Sequence, residues 1–227
     1  MSFWLRVKRR FFRVLTSGLV HLAASIEVHG LERIHQSKGT AIVVCNHLGR
    51  LDAALTLALV NRDDLIVVIA EKYRQYGVVR WVAKTLDLLF LDRFESDFST
   101  VREVLRRLER GGLLVISPEG TRSPTEALLE GKPGAAFLAA KTGATLIPVG
   151  VTGTEDRIVL ERYRKFRRPH LRIVVGEPFK ISSIPRKGRN EFFRQSTEEI
   201  MVRIAALLPQ QYRGVYESHP RVDELVI

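Results

Sequence analysis

A histidine and an aspartate, His47 and Asp52, stand five positions apart directly after the apolar run 40–45. Neighbours on a helix surface are three or four residues apart, so this pair must meet across a turn. The spacing predicts a buried strand ending near Cys45, a loop containing Gly49, and a helix starting near Asp52. The carboxylate can then hold the imidazole in one tautomer as a general base. Asp52 is also a natural helix N-cap, and it can serve both roles.

Two more strand-like runs end in charged residues. Residues 88–91 lead into Asp92 and Arg93, and residues 113–116 lead into a segment that contains Glu119 and Arg122. In open α/β sheets, ligands bind in the crevice outside the carboxyl ends of the strands. We therefore expect one shared cleft in which a base, carboxylates and two arginines meet.

Four short blocks resemble, in order and approximate spacing, the motifs of the glycerolipid acyltransferases, and most closely those of 1-acylglycerol-3-phosphate acyltransferases. The blocks lie between residues 46 and 150, about half of the chain. One such block is a weak signal, whereas four in order are specific. The four blocks are His47 with Asp52, Phe90-Leu91-Asp92-Arg93, Glu119-Gly120-Thr121-Arg122-Ser123, and Ile147-Pro148-Val149-Gly150.

The resemblance implies a role for each matched residue. In the family the histidine takes the proton from an acceptor hydroxyl that attacks an acyl thioester, so this role falls on His47, with Asp52 orienting it. The arginine of the second block binds acceptor phosphate, which points to Arg93. A planar guanidinium suits this task because it can make two parallel hydrogen bonds to a phosphate. The alternative for Arg93 is an ion pair with Asp92 or a contact with a helix end.

Further substrate contacts fall on the third and fourth blocks and on a later lysine. The resemblance assigns the third block to the acceptor, and Pro148 and Lys132 to the side of the donor or acyl chain. The chain departs from the family at Ser117, where an aromatic residue is frequent, and around Lys132, so substrate preference is affected more than reaction type. Glu119 has the alternative role of a turn carboxylate. The predicted substrate-binding set is Arg93, Glu119, Gly120, Thr121, Arg122, Lys132 and Pro148.

Cys45 lies two residues before His47, so a Cys–His nucleophilic pair is an alternative chemistry. Cys45 closes an apolar run, however, and free cysteine is among the most buried residue types, which favours a core position. As the only cysteine of the chain, it allows no intrachain disulfide and no cysteine-rich metal site. Direct transfer from a thioester needs no metal or redox cofactor, because the thiol is a good leaving group.

Alternating strand and helix patterns predict a single α/β domain with a mixed, mostly parallel sheet flanked by helices. The clearest helix covers residues 101–109, where Thr100 has capping-box spacing to a glutamate three residues on. Two more helices are predicted, one from 133 to 140 ending at Gly143 and one at 189–208. The predicted strands are residues 26–31, 41–45, 65–70, 88–91, 113–116, 145–150 and 171–175.

The first 25 residues predict an amphipathic helix on a membrane surface. Its apolar residues recur at helical spacing beside five basic residues, and its longest uncharged run has 13 residues, whereas a spanning helix needs about 20. Apolar burial and attraction to anionic lipid then give reversible anchoring. One alternative is a helix whose apolar stripe only packs against the rest of the domain. Another is a signal peptide. The predicted organisation is this helix at 1–25, an acyltransferase domain at 26–212 and a tail at 213–227.

The formal net charge of +11 requires an anionic partner. Nucleic acid is one alternative, since basic patches bind phosphate backbones without sequence preference. The charge is concentrated in the amino-terminal helix and in residues 162–168, and no nucleic-acid-binding module is recognisable. Anionic lipid and the phosphates of coenzyme A account for the same positive surface, so we expect no nucleic-acid partner.

These patterns predict a membrane-associated acyltransferase at the cytoplasmic face. It would move a fatty acyl group from acyl-CoA or acyl carrier protein to the sn-2 hydroxyl of 1-acylglycerol 3-phosphate, giving phosphatidate. The alternatives keep the chemistry with another acceptor, namely glycerol 3-phosphate, another lysophospholipid or an aminolipid. A catalytically idle membrane scaffold is a further alternative, but it has no reason to keep His47, Asp52 and the arginines together.

Overall fold

Strands and helices alternate along the chain in the computed structural model, which describes residues 3–92 and 97–225. The strands are β1 (Ser25–His29), β2 (Ala41–Cys45), β3 (Leu65–Ala70), β4 (Leu89–Leu91), β5 (Leu113–Ile116), β6 (Thr145–Thr152) and β7 (His170–Val175). The helices are α1 (Phe3–Ala23), α2 (Leu31–Gln36), α3 (Leu51–Leu59), α4 (Gly77–Leu86), α5 (Phe98–Glu109), α6 (Gly134–Thr142), α7 (Asp156–Arg164), α8 (Arg189–Ala206) and α9 (Pro220–Leu225).

The strands form one seven-stranded sheet in the order β1-β7-β6-β2-β5-β3-β4. Every neighbouring pair is parallel except β6 and β7. The carboxyl ends of β2 to β6 therefore meet at one edge of the sheet, and the amino ends of β1 and β7 lie at that same edge. The predicted α/β class with a mixed, mostly parallel sheet is confirmed.

Helices cover both faces of the sheet, as a sheet buried on both sides requires. One face packs against α1, α2 and α3 through residues such as Val20, Ile34 and Leu55. The other face packs against α5, α6, α8 and α9, where Leu108 and Ile200 are fully buried. Among the described residues no helix is long and apolar enough to cross a membrane.

Some predicted boundaries are wrong for local reasons. The strand predicted at 26–31 ends at His29, because Gly30 turns the chain with φ +74° into the unpredicted helix α2. The capping box at Thr100 is also wrong. Helix α5 begins at Phe98, and the side chain of Asp97 caps it by accepting a hydrogen bond of 3.0 Å from the Thr100 N–H. By contrast, Gly143 ends α6 in the left-handed conformation, as predicted.

The segment after Tyr212 packs on the domain. Val222 of α9 is fully buried in the core beneath α8, and the Tyr216 hydroxyl accepts a hydrogen bond of 3.2 Å from the Gly131 N–H. Helix α9 therefore completes the core on its face of the sheet.

Val222→Ala should lower the free energy of unfolding by about 2 kcal/mol, because it removes two buried methyl groups without refilling their space. Val215→Ala is the matched control, since Val215 is 62% exposed and its truncation leaves no cavity. Denaturant unfolding of both variants measures the difference. Equal stabilities would contradict the burial of α9.

Candidate active site

His47 lies in the turn between β2 and α3, and Asp52 lies in the first turn of α3. The His47 Nδ1 lies 2.7 Å from Asp52 Oδ2, and this oxygen also accepts the N–H groups of Leu48 at 2.9 Å and Gly49 at 3.1 Å. Because an ionised carboxylate only accepts hydrogen bonds, Nδ1 carries the proton. The Nε2 atom is then the ring nitrogen with a lone pair for the substrate. Arg50, not Asp52, occupies the N-cap position of α3, so the N-cap role is wrong.

The main chain of His47 is held on both sides by the segment after β5. Its N–H donates to Glu119 Oε1 at 3.0 Å, and its carbonyl accepts the Ser123 N–H at 2.9 Å. The other oxygen of Glu119 accepts the Leu129 N–H at 3.0 Å. Burial raises the pKa of Glu119, and the two backbone hydrogen bonds oppose that shift. Glu119, only 1% exposed, therefore positions His47.

Strand β6 and the loop after it hold the same turn from the opposite side. The buried Asn46 amide exchanges two hydrogen bonds of 2.8 Å with the Val151 main chain, which continues the strand pairing beyond the end of β2. A Cβ on Gly49 would lie 1.6 Å from the Thr154 carbonyl oxygen. Glycine is required there because the two loops touch through their backbones.

A cavity of about 430 Å³ opens beside His47. Four strand ends contribute to its wall, as the rule for ligand sites in α/β sheets predicts. His47 follows β2, and Thr121 and Arg122 follow β5. Further polar wall residues are Lys72 and Tyr73 after β3 and Asp156 and Arg157 after β6.

The two arginines of this cavity are held by acidic partners. Arg122 Nη1 lies 2.7 Å from Asp156 Oδ2, while Asp156 Oδ1 accepts the Arg50 N–H at 2.9 Å. Arg157 pairs with Glu126 at 2.8 Å. Asp156 thus connects Arg122 to the turn that carries His47. A guanidinium has five N–H donors, so this contact leaves Arg122 able to bind an anion as well.

The other predicted site residues differ in where they lie relative to the cavity. Gly120 has φ +70° and lies against the exposed Lys132 side chain, with a notional Cβ 3.2 Å from Lys132 Cδ. Pro148 is buried inside β6 opposite Val44 and is not part of the cavity wall. Arg93 falls outside the described residues. The substrate contacts of Gly120, Lys132, Pro148 and Arg93 stay predictions.

The polar wall residues that follow β3 and β6 were not predicted from the sequence, although a signal for them was present. Strands β3 and β6 also run directly into polar segments, the same pattern that identified the ends of β2, β4 and β5. The omitted residues are Lys72, Tyr73, Asp156 and Arg157.

The surroundings of Cys45 do not suit a nucleophile. Its Sγ lies 3.9 Å from the Ile116 carbonyl oxygen, and burial raises the pKa of the thiol, which keeps it protonated. This agrees with the predicted core position. No cluster of three histidine, cysteine, aspartate or glutamate side chains suited to a metal ion occurs in residues 3–92 and 97–225.

A family model described as Acyltransferase matches residues 25–152, more than half of the 227 residues, and the chain belongs to this family. The crystal structure of the 1-acyl-sn-glycerophosphate (LPA) acyltransferase PlsC from Thermotoga maritima is similar, with a TM-score of 0.62 and 26% identity. The match covers 85% of this chain and 79% of that one.

Curated relatives carry related names. A chloroplastic 1-acyl-sn-glycerol-3-phosphate acyltransferase of Arabidopsis thaliana is 25% identical over 67% of this chain and 43% of that protein. A 1-acyl-sn-glycerol-3-phosphate acyltransferase of Bacillus subtilis is 23% identical over 83% of this chain and 91% of that protein. The chain thus spans less than half of the plant relative and most of the bacterial one.

Glu119→Gln should lower kcat for acyl transfer between about 10- and 100-fold, with little change in the acceptor KM. An amide oxygen can accept only one of the two N–H groups, and the amide nitrogen would face the other, so the His47 main chain must shift. Steady-state kinetics measure both constants, with Glu109→Gln on the exposed end of α5 as the control. A raised KM at unchanged kcat would instead make Glu119 a substrate contact.

Proposed function

We propose that this protein transfers a fatty acyl group from acyl-CoA or acyl carrier protein to the sn-2 hydroxyl of 1-acylglycerol 3-phosphate, giving phosphatidate. The observation that carries the proposal is the His47–Asp52 pair, with its 2.7 Å hydrogen bond, at the wall of a cavity that also holds Lys72, Arg122 and Arg157. A phosphorylated alcohol needs a base to accept its hydroxyl proton and cations to bind its phosphate. The names of the relatives support the same acceptor.

The proposed reaction is a direct displacement. His47 Nε2 accepts the hydroxyl proton while the alcohol oxygen attacks the thioester carbonyl carbon, so a C–O bond forms and the C–S bond breaks. The proton then passes from Nε2 to the departing thiolate. Asp52 supports the imidazolium that exists between these two transfers, because its carboxylate already accepts the Nδ1 proton. No covalent enzyme intermediate is needed.

The cations of the cavity wall account for acceptor recognition. Arg122 is 30% exposed at its side chain and retains donors for two parallel bonds to a phosphate. Lys72 adds a point charge from the adjacent strand end. Strand β4 ends at the same edge of the sheet. The family resemblance assigns a further phosphate contact to Arg93, which lies outside the described residues. Glycerol 3-phosphate presents the same phosphate and hydroxyl, so the acyl chain of the acceptor must decide between them.

Helix α1 is the proposed membrane anchor. Its inner face contacts α3 and α4, and Val20 is buried there. Its outer face leaves large apolar side chains in solvent, including Trp4 at 71%, Phe11 at 63% and Leu22 at 77% exposure. Five basic residues and no acidic ones accompany this stripe within Phe3–Ala23. An exposed apolar stripe with cationic flanks suits the cytoplasmic surface of an anionic membrane.

His47→Ala should reduce turnover about a thousandfold while the protein stays folded, because only the proton acceptor is lost. The assay follows free thiol and phosphatidate from oleoyl-CoA and 1-oleoylglycerol 3-phosphate in detergent, with acceptor-free reactions as blanks. His29→Ala is the control, since the exposed His29 side chain pairs with Glu27 on the surface.

The acceptor panel decides between the alternatives. Transfer to glycerol 3-phosphate or another lysophospholipid but not to 1-acylglycerol 3-phosphate would overturn the acceptor and keep the chemistry. No transfer with any acceptor, from coenzyme A or carrier-protein donors, would favour the membrane scaffold.

The triple substitution of Trp4, Phe11 and Leu22 by serine should weaken partitioning onto phosphatidylglycerol-containing vesicles about a hundredfold or more. Deleting α1 is a poorer test, because Val20 belongs to the core. Val215→Ser replaces an equally exposed apolar residue and serves as control. Vesicle sedimentation measures the effect, and unchanged partitioning of the triple variant would remove α1 from the membrane interface.

A further inference from the structure

The dense basic run at residues 162–168, which we call the basic turn, joins α7 to β7. All of its residues are exposed, and Phe166 at its tip is 98% exposed. Glu161 pairs with Lys165 at 2.6 Å, whereas the three arginines around the tip make no ion pair with any other described residue. These are Arg162, Arg164 and Arg167. The proposed catalytic mechanism gives this cationic, aromatic-tipped turn no role.

Phe166 is held in an unfavourable backbone conformation. Its φ of +52° is rare for a bulky residue and costs energy. The turn is fixed by hydrogen bonds from the Phe166 N–H to the Tyr163 carbonyl at 3.0 Å and from the Arg167 N–H to the Arg162 carbonyl at 2.9 Å. Nothing in the packing of the ring offsets the cost, because the side chain lies in solvent.

The basic turn is docked on the carboxyl end of α1. The Arg168 guanidinium donates to the carbonyl groups of His21 and Ala24, and the Tyr163 hydroxyl donates to the Ala23 carbonyl at 3.2 Å. A cation at this end also complements the helix dipole. Leu22, which is 77% exposed, lies in the same stretch. The turn therefore adjoins the apolar stripe of α1.

The basic turn also lies at the edge of the sheet that carries His47. Strand β7 is antiparallel to β6, so its first residues stand beside the last residues of β6, with Arg172 opposite Thr152. Strand β1 starts there as well, because Ser25 pairs with His170. The end of α1, the basic turn and the cavity thus share one edge.

We propose that the basic turn is a second membrane-contacting element, in which Phe166 enters the interface of an anionic phospholipid bilayer and the arginines contact lipid phosphates. Together with α1, it directs the edge of the sheet that carries His47 towards the lipid surface. This inference rests on the proposed function, since substrate and product of that reaction both reside in the membrane.

A bilayer fits the turn better than an acidic protein or a nucleic acid. The phenyl ring stands alone on a convex tip, where it can enter a fluid interface, whereas a protein partner would need a pocket to receive it. The arginines surround it as cations surround the apolar residues of interfacial helices. The neighbouring stripe of α1 continues the same combination of apolar and basic groups.

Phe166→Cys carrying a polarity-sensitive fluorophore tests the contact directly. Cys45 is mostly buried and its thiol pKa is raised, so the wild-type protein provides the labelling blank. On vesicles of phosphatidylcholine and phosphatidylglycerol, the label at 166 should shift to the blue and become shielded from iodide. A label at Glu109→Cys, on the opposite edge, should stay quenchable. Quenching at 166 that is unchanged by vesicles would overturn the proposal.

Phe166→Asn and Arg164→Gln/Arg167→Gln separate the two parts of the contact. Asparagine tolerates positive φ, so the fold should be kept or stabilised while vesicle partitioning falls about tenfold. The arginine variant should bind anionic vesicles more weakly and bind pure phosphatidylcholine vesicles as the wild type does. Wild-type partitioning of both variants would contradict the proposal, as would tight binding of the turn to carrier protein or DNA in place of vesicles.

These readouts do not depend on catalysis. If the label at 166 enters vesicles but no acyl transfer occurs, the membrane contact stands and the proposed function fails. If transfer occurs in detergent but position 166 stays in water, only the inference about the basic turn fails.

Discussion

The arrangement of the site depends on one carboxylate oxygen. Asp52 Oδ2 receives the ring N–H of His47 and the main-chain N–H groups of Leu48 and Gly49, so a single anion fixes both the imidazole and the turn that carries it. Three donors on one oxygen orient the ring before any substrate arrives. This also explains the five-residue spacing, because the carboxylate in the first turn of α3 can reach back only across a loop of this length.

Neighbouring strands extend that constraint to the whole sheet edge. The turn is held on the β5 side by Glu119 and Ser123, and on the β6 side by Asn46 and the close approach of Gly49 to Thr154. These contacts are mostly to the backbone, so they fix position without occupying the cavity. The wall carries three basic side chains, Lys72, Arg122 and Arg157, against two acidic ones, which gives the cavity its cationic character. The parallel sheet matters to function because it brings these loops to one edge.

Local patterns predicted most of the fold and the central pair. Apolar runs located all seven strands, and the spacing of His47 and Asp52 indicated the strand, turn and helix around them. Apart from the local errors at element ends, the features that the sequence did not predict depend on distant contacts. Three such features are the antiparallel position of β7, the ion pair of Asp156 with Arg122 and the support of His47 by Glu119. Each joins residues far apart in sequence, so a short stretch of sequence does not contain both partners. A motif identifies Glu119 as important, but its hydrogen bonds show that it acts on the main chain of His47.

Nitrogen-15 NMR of the His47 ring tests most directly whether Asp52 fixes the tautomer. In protein labelled at histidine nitrogens, with His47→Ala for assignment, we expect Nδ1 of the neutral ring to carry the proton and Nε2 to be bare. In Asp52→Asn, the ring should lose this preference and exchange between tautomers. A neutral His47 with its proton on Nε2 in the wild-type protein would contradict the account, since that ring could not accept the substrate proton from the cavity.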